Sequence, residues 1–107
     1  PTYESMTIKD ETIHIKFKNI GGGLISKNKY GYVNGFQIAG ANQKFYWAKA
    51  SIEGDRVIVS SENVKKPVAV RYAWGDNPDD INLYNVENFP ALPFRTDNWE
   101  VLTTNKK

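Results

Sequence analysis

Nowhere in this chain of 107 residues do apolar side chains recur at the i, i+3, i+4, i+7 spacing of an amphipathic helix for long enough to build one. What recurs is period two. In Thr12 to Lys18, Ile13, Ile15 and Phe17 alternate with His14, Lys16 and Lys18, which gives a strand one apolar and one polar face. Val57 and Val59 repeat the pattern, and Val68, Val70, Tyr72 and Trp74 alternate with Ala69, Arg71 and Ala73. Short alternating runs at near-regular spacing predict an all-β chain folded as an antiparallel two-sheet β-sandwich, with residues 1–107 forming a single domain. An immunoglobulin-like strand order is the first expectation and a jelly roll the alternative.

Turn formers divide the runs. Tyr3 to Lys9 and Thr12 to Lys18 meet at Asp10-Glu11, and Gly21-Gly22-Gly23 then breaks the chain. No Gly-Lys-Ser/Thr follows the triplet, so it reads as a flexible or positive-φ loop rather than a phosphate loop. Phe36 to Ala39 is a short strand and Lys44 to Glu53 a longer one. On the longer strand Tyr46, Ala48, Ala50 and Ile52 are expected to face inward, with Phe45, Trp47, Lys49 and Ser51 opposite. Gly54-Asp55 closes a hairpin onto Arg56 to Ser60. Pro67 opens the strand that ends at Gly75-Asp76-Asn77-Pro78. Beyond it regularity fades, except for a last short strand expected over Trp99 to Thr103.

Composition narrows function by exclusion. Hydrophobic content of 40%, charged content of 24% and a net charge of +2 are ordinary for a globular domain. The basic residues are scattered, so no nucleic-acid partner is expected; a nucleic-acid-binding barrel is the weakest alternative. There is no cysteine and hence no disulfide framework. No apolar run approaches the roughly 18 residues of a membrane-spanning helix, and no membrane partner is expected. His14 is the one histidine, and no Gly-x-Ser-x-Gly elbow is present. No catalytic residue is assigned in this chain. Asp76, Asp79 and Asp80 match no calcium loop, so neither a metal nor a cofactor is expected.

Three blocks in order carry a resemblance. Val70-Arg71-Tyr72-Ala73-Trp74, Asn82-Leu83-Tyr84-Asn85 and Pro90-Ala91-Leu92-Pro93-Phe94-Arg95-Thr96-Asp97 resemble the closing segment of the sialate O-acetylesterases. That family consists of carbohydrate esterases of the GDSL/SGNH-hydrolase type. Gly23-Leu24, Gly35-Phe36, Ile38-Ala39-Gly40, Phe45, Ala48, Ala50 and Val57 fit the same pattern, while Asn88-Phe89 stands where the pattern has a Gly-Leu pair. The serine, glycine and asparagine blocks and the Asp-x-x-His block of that class have no match here. The resemblance implies a C-terminal accessory domain whose partner is the upstream catalytic domain of the same polypeptide. It further implies that the parent removes acetyl esters from sialic acid or related sugars with a serine nucleophile and a histidine base, in a secreted, periplasmic or lysosomal setting.

Arg71, Tyr72, Trp74, Asn82, Tyr84, Arg95 and Asp97 are the candidate domain-interface or cleft-rim residues. Arg71 lies between Ala69 and Ala73, which leave room for a carboxylate to meet its guanidinium fork. Arg71, Arg95 and Asp97 are therefore expected to fix the closing segment to the sandwich or to a neighbouring domain. Phe45 and Trp47 are the candidate sugar-stacking residues, which would make the chain an independent carbohydrate-binding module; the alternative use of the pair is to dock a neighbouring domain. The competing expectation is that residues 81–99 cover both rings as a second layer of core.

Overall fold

The computed structural model describes residues 1–26, 33–73 and 82–97. Within them lie β1 (Thr2–Lys9), β2 (Thr12–Lys18), β3 (Leu24–Ser26), β4 (Phe36–Ala39), β5 (Phe45–Trp47), β6 (Lys49–Glu53), β7 (Arg56–Ser60), β8 (Ala69–Tyr72), β9 (Leu83–Asn85) and β10 (Phe94–Arg95). One sheet runs β1-β2-β7-β6, the second β10-β8-β4-β5, and β3 pairs with β9 as a separate ribbon. Every pairing is antiparallel. Those two orders are the A-B-E-D and G-F-C-C′ sheets of an immunoglobulin-like sandwich. The jelly-roll alternative is thereby set aside. The ribbon joins two insertions, one in the β2–β4 connection and one in the β8–β10 connection.

The core forms where the alternating apolar faces meet. Ile13, Ile15 and Phe17 of β2 and Val57 and Val59 of β7 close on Phe36 and Ile38 of β4 and Val70 and Tyr72 of β8. Val68 departs from the expectation. It precedes β8 and lies exposed, its N–H donating to the Ala39 carbonyl at 2.8 Å, while Pro67 before it is buried.

The largest correction concerns Lys44 to Glu53, which is not one strand. β5 ends at Trp47 in the second sheet and β6 begins at Lys49 in the first. Ala48 is the crossing residue, and its N–H donates to the Phe36 carbonyl at 2.9 Å. The alternation hides the corner because both halves keep even-numbered residues toward the core: Ala50 is buried, and Ala48 and Ile52 pack against it. Tyr46 is the exception. It stands opposite Ile38 but on an edge strand, and it is exposed rather than turned in.

The turns follow local chemistry. Glu53 pairs with Arg56 across Gly54-Asp55, and Gly54 sits at φ +66°, where glycine pays no side-chain clash. In the glycine triplet Gly21 and Gly23 also have positive φ, at +57° and +131°, and the loop does cradle an anion. That anion is the chain's own: Gly22 N–H donates to both carboxylate oxygens of Glu87 at 3.0 Å. A Cβ on Gly21 would collide with this carboxylate and crowd the Asn85 amide. Asn88, standing where the resemblance has glycine, occupies φ +78°. Asparagine is among the non-glycine residues that tolerate this region best, so the turn survives the change. The strand expected over Trp99 to Thr103 lies outside the described residues.

Two glycine substitutions separate these terms. Gly54→Ala meets no atom within 4 Å and pays only for its backbone angle, roughly 1 kcal/mol. Gly21→Ala pays that and also dislodges Glu87, for a loss of roughly 2–3 kcal/mol. Denaturant unfolding of both variants checks this, and equal losses would mean the Glu87 cradle contributes nothing.

Candidate functional site

The outer face of the second sheet collects most of the candidate residues. Arg95 stands opposite Arg71, Arg71 opposite Gln37, and Gln37 opposite Trp47, so one row crosses all four strands. Their neighbours Phe94, Tyr72, Phe36 and Ile38 turn inward, which leaves this row facing out. The next row runs Ala69, Ala39, Phe45. Its two alanines leave room above the sheet, and the Arg71 guanidinium lies over the Phe45 ring at 4.0 Å from the centroid.

The other side of that guanidinium grips Asp97. Arg71 Nε donates to Oδ1 at 3.0 Å and Nη2 to Oδ2 at 2.8 Å. The Asp97 side chain is 1% exposed, so the pair is a desolvated two-pronged bridge. By contrast Lys16–Glu4 and Arg56–Asp55 are exposed and 3.8 Å apart, a class of pair that contributes little. Thr96 continues the tie: its N–H donates to the Val70 carbonyl at 3.0 Å, and its hydroxyl accepts from Val70 N–H at 3.0 Å. The expected anchoring of the closing segment is therefore made by Arg71 and Asp97, with Arg95 beside Arg71 in register. With its charge met by Asp97, Arg71 is a structural cation.

Trp47 is 71% exposed. The expectation that the closing segment covers it fails for a topological reason: β10 lies on one edge of the sheet and β5 on the other. Phe45 is half-buried, and one of its faces carries Arg71. A Trp47 ring in water beside the Gln37 amide is an arrangement that can stack on a sugar ring.

Other candidates move off the surface. Tyr72 is in the core, 4.6 Å from Phe36 ring to ring, and presents nothing to a second domain. Its buried hydroxyl has no hydrogen-bond partner among the described residues. Burial pushes the Tyr72 phenol up to about 12; the Leu83 backbone pulls the other way, yet its geometry falls short of a hydrogen bond. Asn82 is also buried, and its Oδ1 accepts the Asn34 N–H at 2.8 Å. Tyr84 is half-buried on the ribbon opposite Ile25. Trp74, Asp76, Asp79 and Asp80 lie outside the described residues. His14 faces out between Thr7 and Ile58. Among the described residues, no three His, Cys, Asp or Glu side chains are grouped to hold a metal. Sequence reasoning passed over Gln37, for which the signal was one amide in the apolar run Phe36-Gln37-Ile38-Ala39.

The geometry defines an immunoglobulin-like β-sandwich with a clamped closing strand and one exposed aromatic edge. No protein-family model matches the chain, and no curated protein does. A solved structure does: a carbohydrate acetylesterase from Xanthomonas citri, at 46% identity and a TM-score of 0.87, over 92% of this chain. The match spans 23% of that protein's length.

Two variants test the site energetics. Asp97→Ala leaves the Arg71 cation without its buried partner and is expected to cost about 3 kcal/mol, against under about 0.5 kcal/mol for Lys16→Ala. Tyr72→Phe removes an unpartnered hydroxyl, so the variant should melt no lower than the parent at neutral pH. The Tyr72 pKa is raised on folding, so its contribution is intact below pH 10 and is lost as pH climbs toward about 12. Thermal melts across that window should show the parent losing more than Tyr72→Phe; other titrating groups cancel in the difference.

Proposed function

We propose that this chain is the non-catalytic C-terminal domain of a carbohydrate esterase. In this reading it buttresses the catalytic domain of an enzyme that removes acetyl esters from sialic acid or related sugars. The observation that carries this reading is the 46% identity to a part, 23% in length, of a carbohydrate acetylesterase. The sialic acid class rests on the Arg71, Tyr84 and Pro90-to-Asp97 blocks, which resemble the sialate O-acetylesterases. Ester hydrolysis by a serine enzyme needs a nucleophile, a base and a group orienting the base, all in mutual reach. Here His14 stands outward between Thr7 and Ile58, and the conspicuous polar side chains are engaged in bracing the fold. Arg71 and Asp97 tie β8 to the closing segment, and Glu87 holds the glycine turn. A scaffold that must hold a neighbour in place needs such stiffness. A reaction centre needs an accessible, unsatisfied group.

One observation favours a second reading, an independent carbohydrate-binding module: Trp47, 71% exposed, beside Gln37 in the same row.

The folded chain alone is expected to release no acetate from O-acetylated sialic acid. Deleting it from the intact polypeptide should lower the melting temperature of the catalytic domain. Titrating the chain with a glycan panel should leave its tryptophan fluorescence unchanged. A shift that disappears in Trp47→Ala would hand the function to the module instead, and acetate release lost in His14→Ala would overturn the non-catalytic assignment.

A further inference from the structure

The ribbon has an apolar outer face. Ile25 of β3 stands opposite Tyr84 of β9, and Tyr84 bridges to Pro90, so three side chains form a cross-strand row. The returning segment is bonded to β9 as a third short strand: Asn85 N–H donates to the Phe89 carbonyl and Ala91 N–H to the Leu83 carbonyl, both at 2.9 Å. Leu83, Asn85 and Ala91 are buried, so the intervening Tyr84 and Pro90 share the opposite face, with Val86 and Leu92 at its ends. Val86, Phe89 and Leu92 are 56%, 63% and 55% exposed. Three large apolar side chains held in water within seven residues are the mark of an interaction surface, unlike scattered single ones.

The backbone beneath them is already fixed. Val86 N–H donates to the Gly23 carbonyl at 2.9 Å, Asn85 Oδ1 accepts the Phe89 N–H at 2.8 Å, and Glu87 is held by Gly22. Little conformational freedom is left to lose on docking, which favours a permanent neighbour. The face offers aliphatic and aromatic carbon with few polar groups to orient a polyol, so it suits protein better than sugar.

Its geometry also indicates which protein. Pro1 is buried, and its carbonyl accepts the Leu92 N–H at 3.1 Å. Any residues joined ahead of Pro1 would therefore emerge at the rim of this face. In the similar acetylesterase the match accounts for 23% of the chain, so most of that polypeptide lies outside it. We propose that the ribbon face bearing Ile25, Tyr84, Val86 and Leu92 is the surface on which this domain seats against an apolar patch of the catalytic domain of the same polypeptide, with the exposed Phe89 at its turn. This rests on the accessory-domain reading above and names its contact.

The test pairs Val86→Ser with Leu92→Ser, and uses Trp47→Ser on the far edge of the second sheet as control. In the chain alone the double variant should melt within about 2 °C of the parent, since both side chains are exposed. In the intact polypeptide it should lower the catalytic domain's melting temperature by about 5 °C, while Trp47→Ser leaves it unchanged. A catalytic domain stabilised equally by parent and double variant would overturn the seat while leaving the accessory reading standing. A chain that dimerises alone, and is made monomeric by the double variant, would assign the face to a second copy and overturn the seat as well. A catalytic domain that melts identically with and without residues 1–107 would overturn the accessory reading and this inference together.

Discussion

Everything in this fold converges on the ring of Phe94. Its strand, β10, is two residues long, yet the ring stacks on Tyr3 at 4.7 Å and meets Phe17 edge-on at 5.8 Å. It also lies 6.1 Å from Tyr72 and 6.3 Å from Phe36. Tyr3 and Phe17 belong to the first sheet, Tyr72 and Phe36 to the second, so one side chain joins both layers. Emptying such a position costs about 3–5 kcal/mol, against a net stability of about 5–15 kcal/mol for a whole domain. Two residues of ladder cannot hold a strand in place alone. The Arg71–Asp97 fork and the paired Thr96–Val70 bonds supply what the ladder lacks, and they do so directly after Phe94 in the chain.

Holding β10 against β8 fixes the route of the segment before it. The chain must leave β8, form β9, turn, and return to the same sheet. Its polar side chains reach backbone N–H groups there and in the β2–β4 connection: Asn82 accepts from Asn34, Asn85 from Phe89, and Glu87 from Gly22. Polar side chains are spent on the backbone, and apolar ones are left outside. Hence the segment that closes the sandwich also carries exposed apolar side chains, Val86, Phe89 and Leu92. The exposed Trp47 belongs to a different part of the fold, the edge strand farthest from β10.

Strands with uninterrupted alternation were legible in the sequence. Ile13, Ile15, Phe17, Val57 and Val59 lie in the core as their period-two spacing requires, and the Gly54-Asp55 hairpin follows from its turn residues. Strand order was accessible only as an expectation, because pairing between distant strands leaves no local mark. The corner at Ala48 was illegible for a sharper reason. Alternation reports which side a residue faces relative to a core, and a strand that passes from one sheet to the other around the same core keeps its parity. Tyr72 misled in the opposite direction: its place with Arg71 and Trp74 in the block that carries the resemblance drew it to the surface, while its own alternation with Val70 placed it inside. The Arg71–Asp97 tie was readable in outline because an arginine flanked by two alanines leaves few partners but a carboxylate brought by the closing segment. Glu87 gave no such signal, since a carboxylate that caps a glycine turn looks in sequence like any surface glutamate.

Among the described residues, the most desolvated polar groups are turned inward and apolar side chains are left outside. A reaction centre keeps a charge or hydroxyl poised against an accessible space, and its cost is borne by the rest of the fold. In the described residues the charge with the most desolvated surroundings, Asp97, is neutralised by two bonds from Arg71, and Arg71 in turn is capped by the Phe45 ring. The unpartnered hydroxyl, Tyr72, is sealed between Phe36 and Phe94, where no substrate reaches it. The most exposed apolar side chains among the described residues are Trp47 on one edge and Val86, Phe89 and Leu92 on the ribbon. Exposed carbon gains free energy by being covered, and it holds most firmly when the backbone beneath it is already rigid.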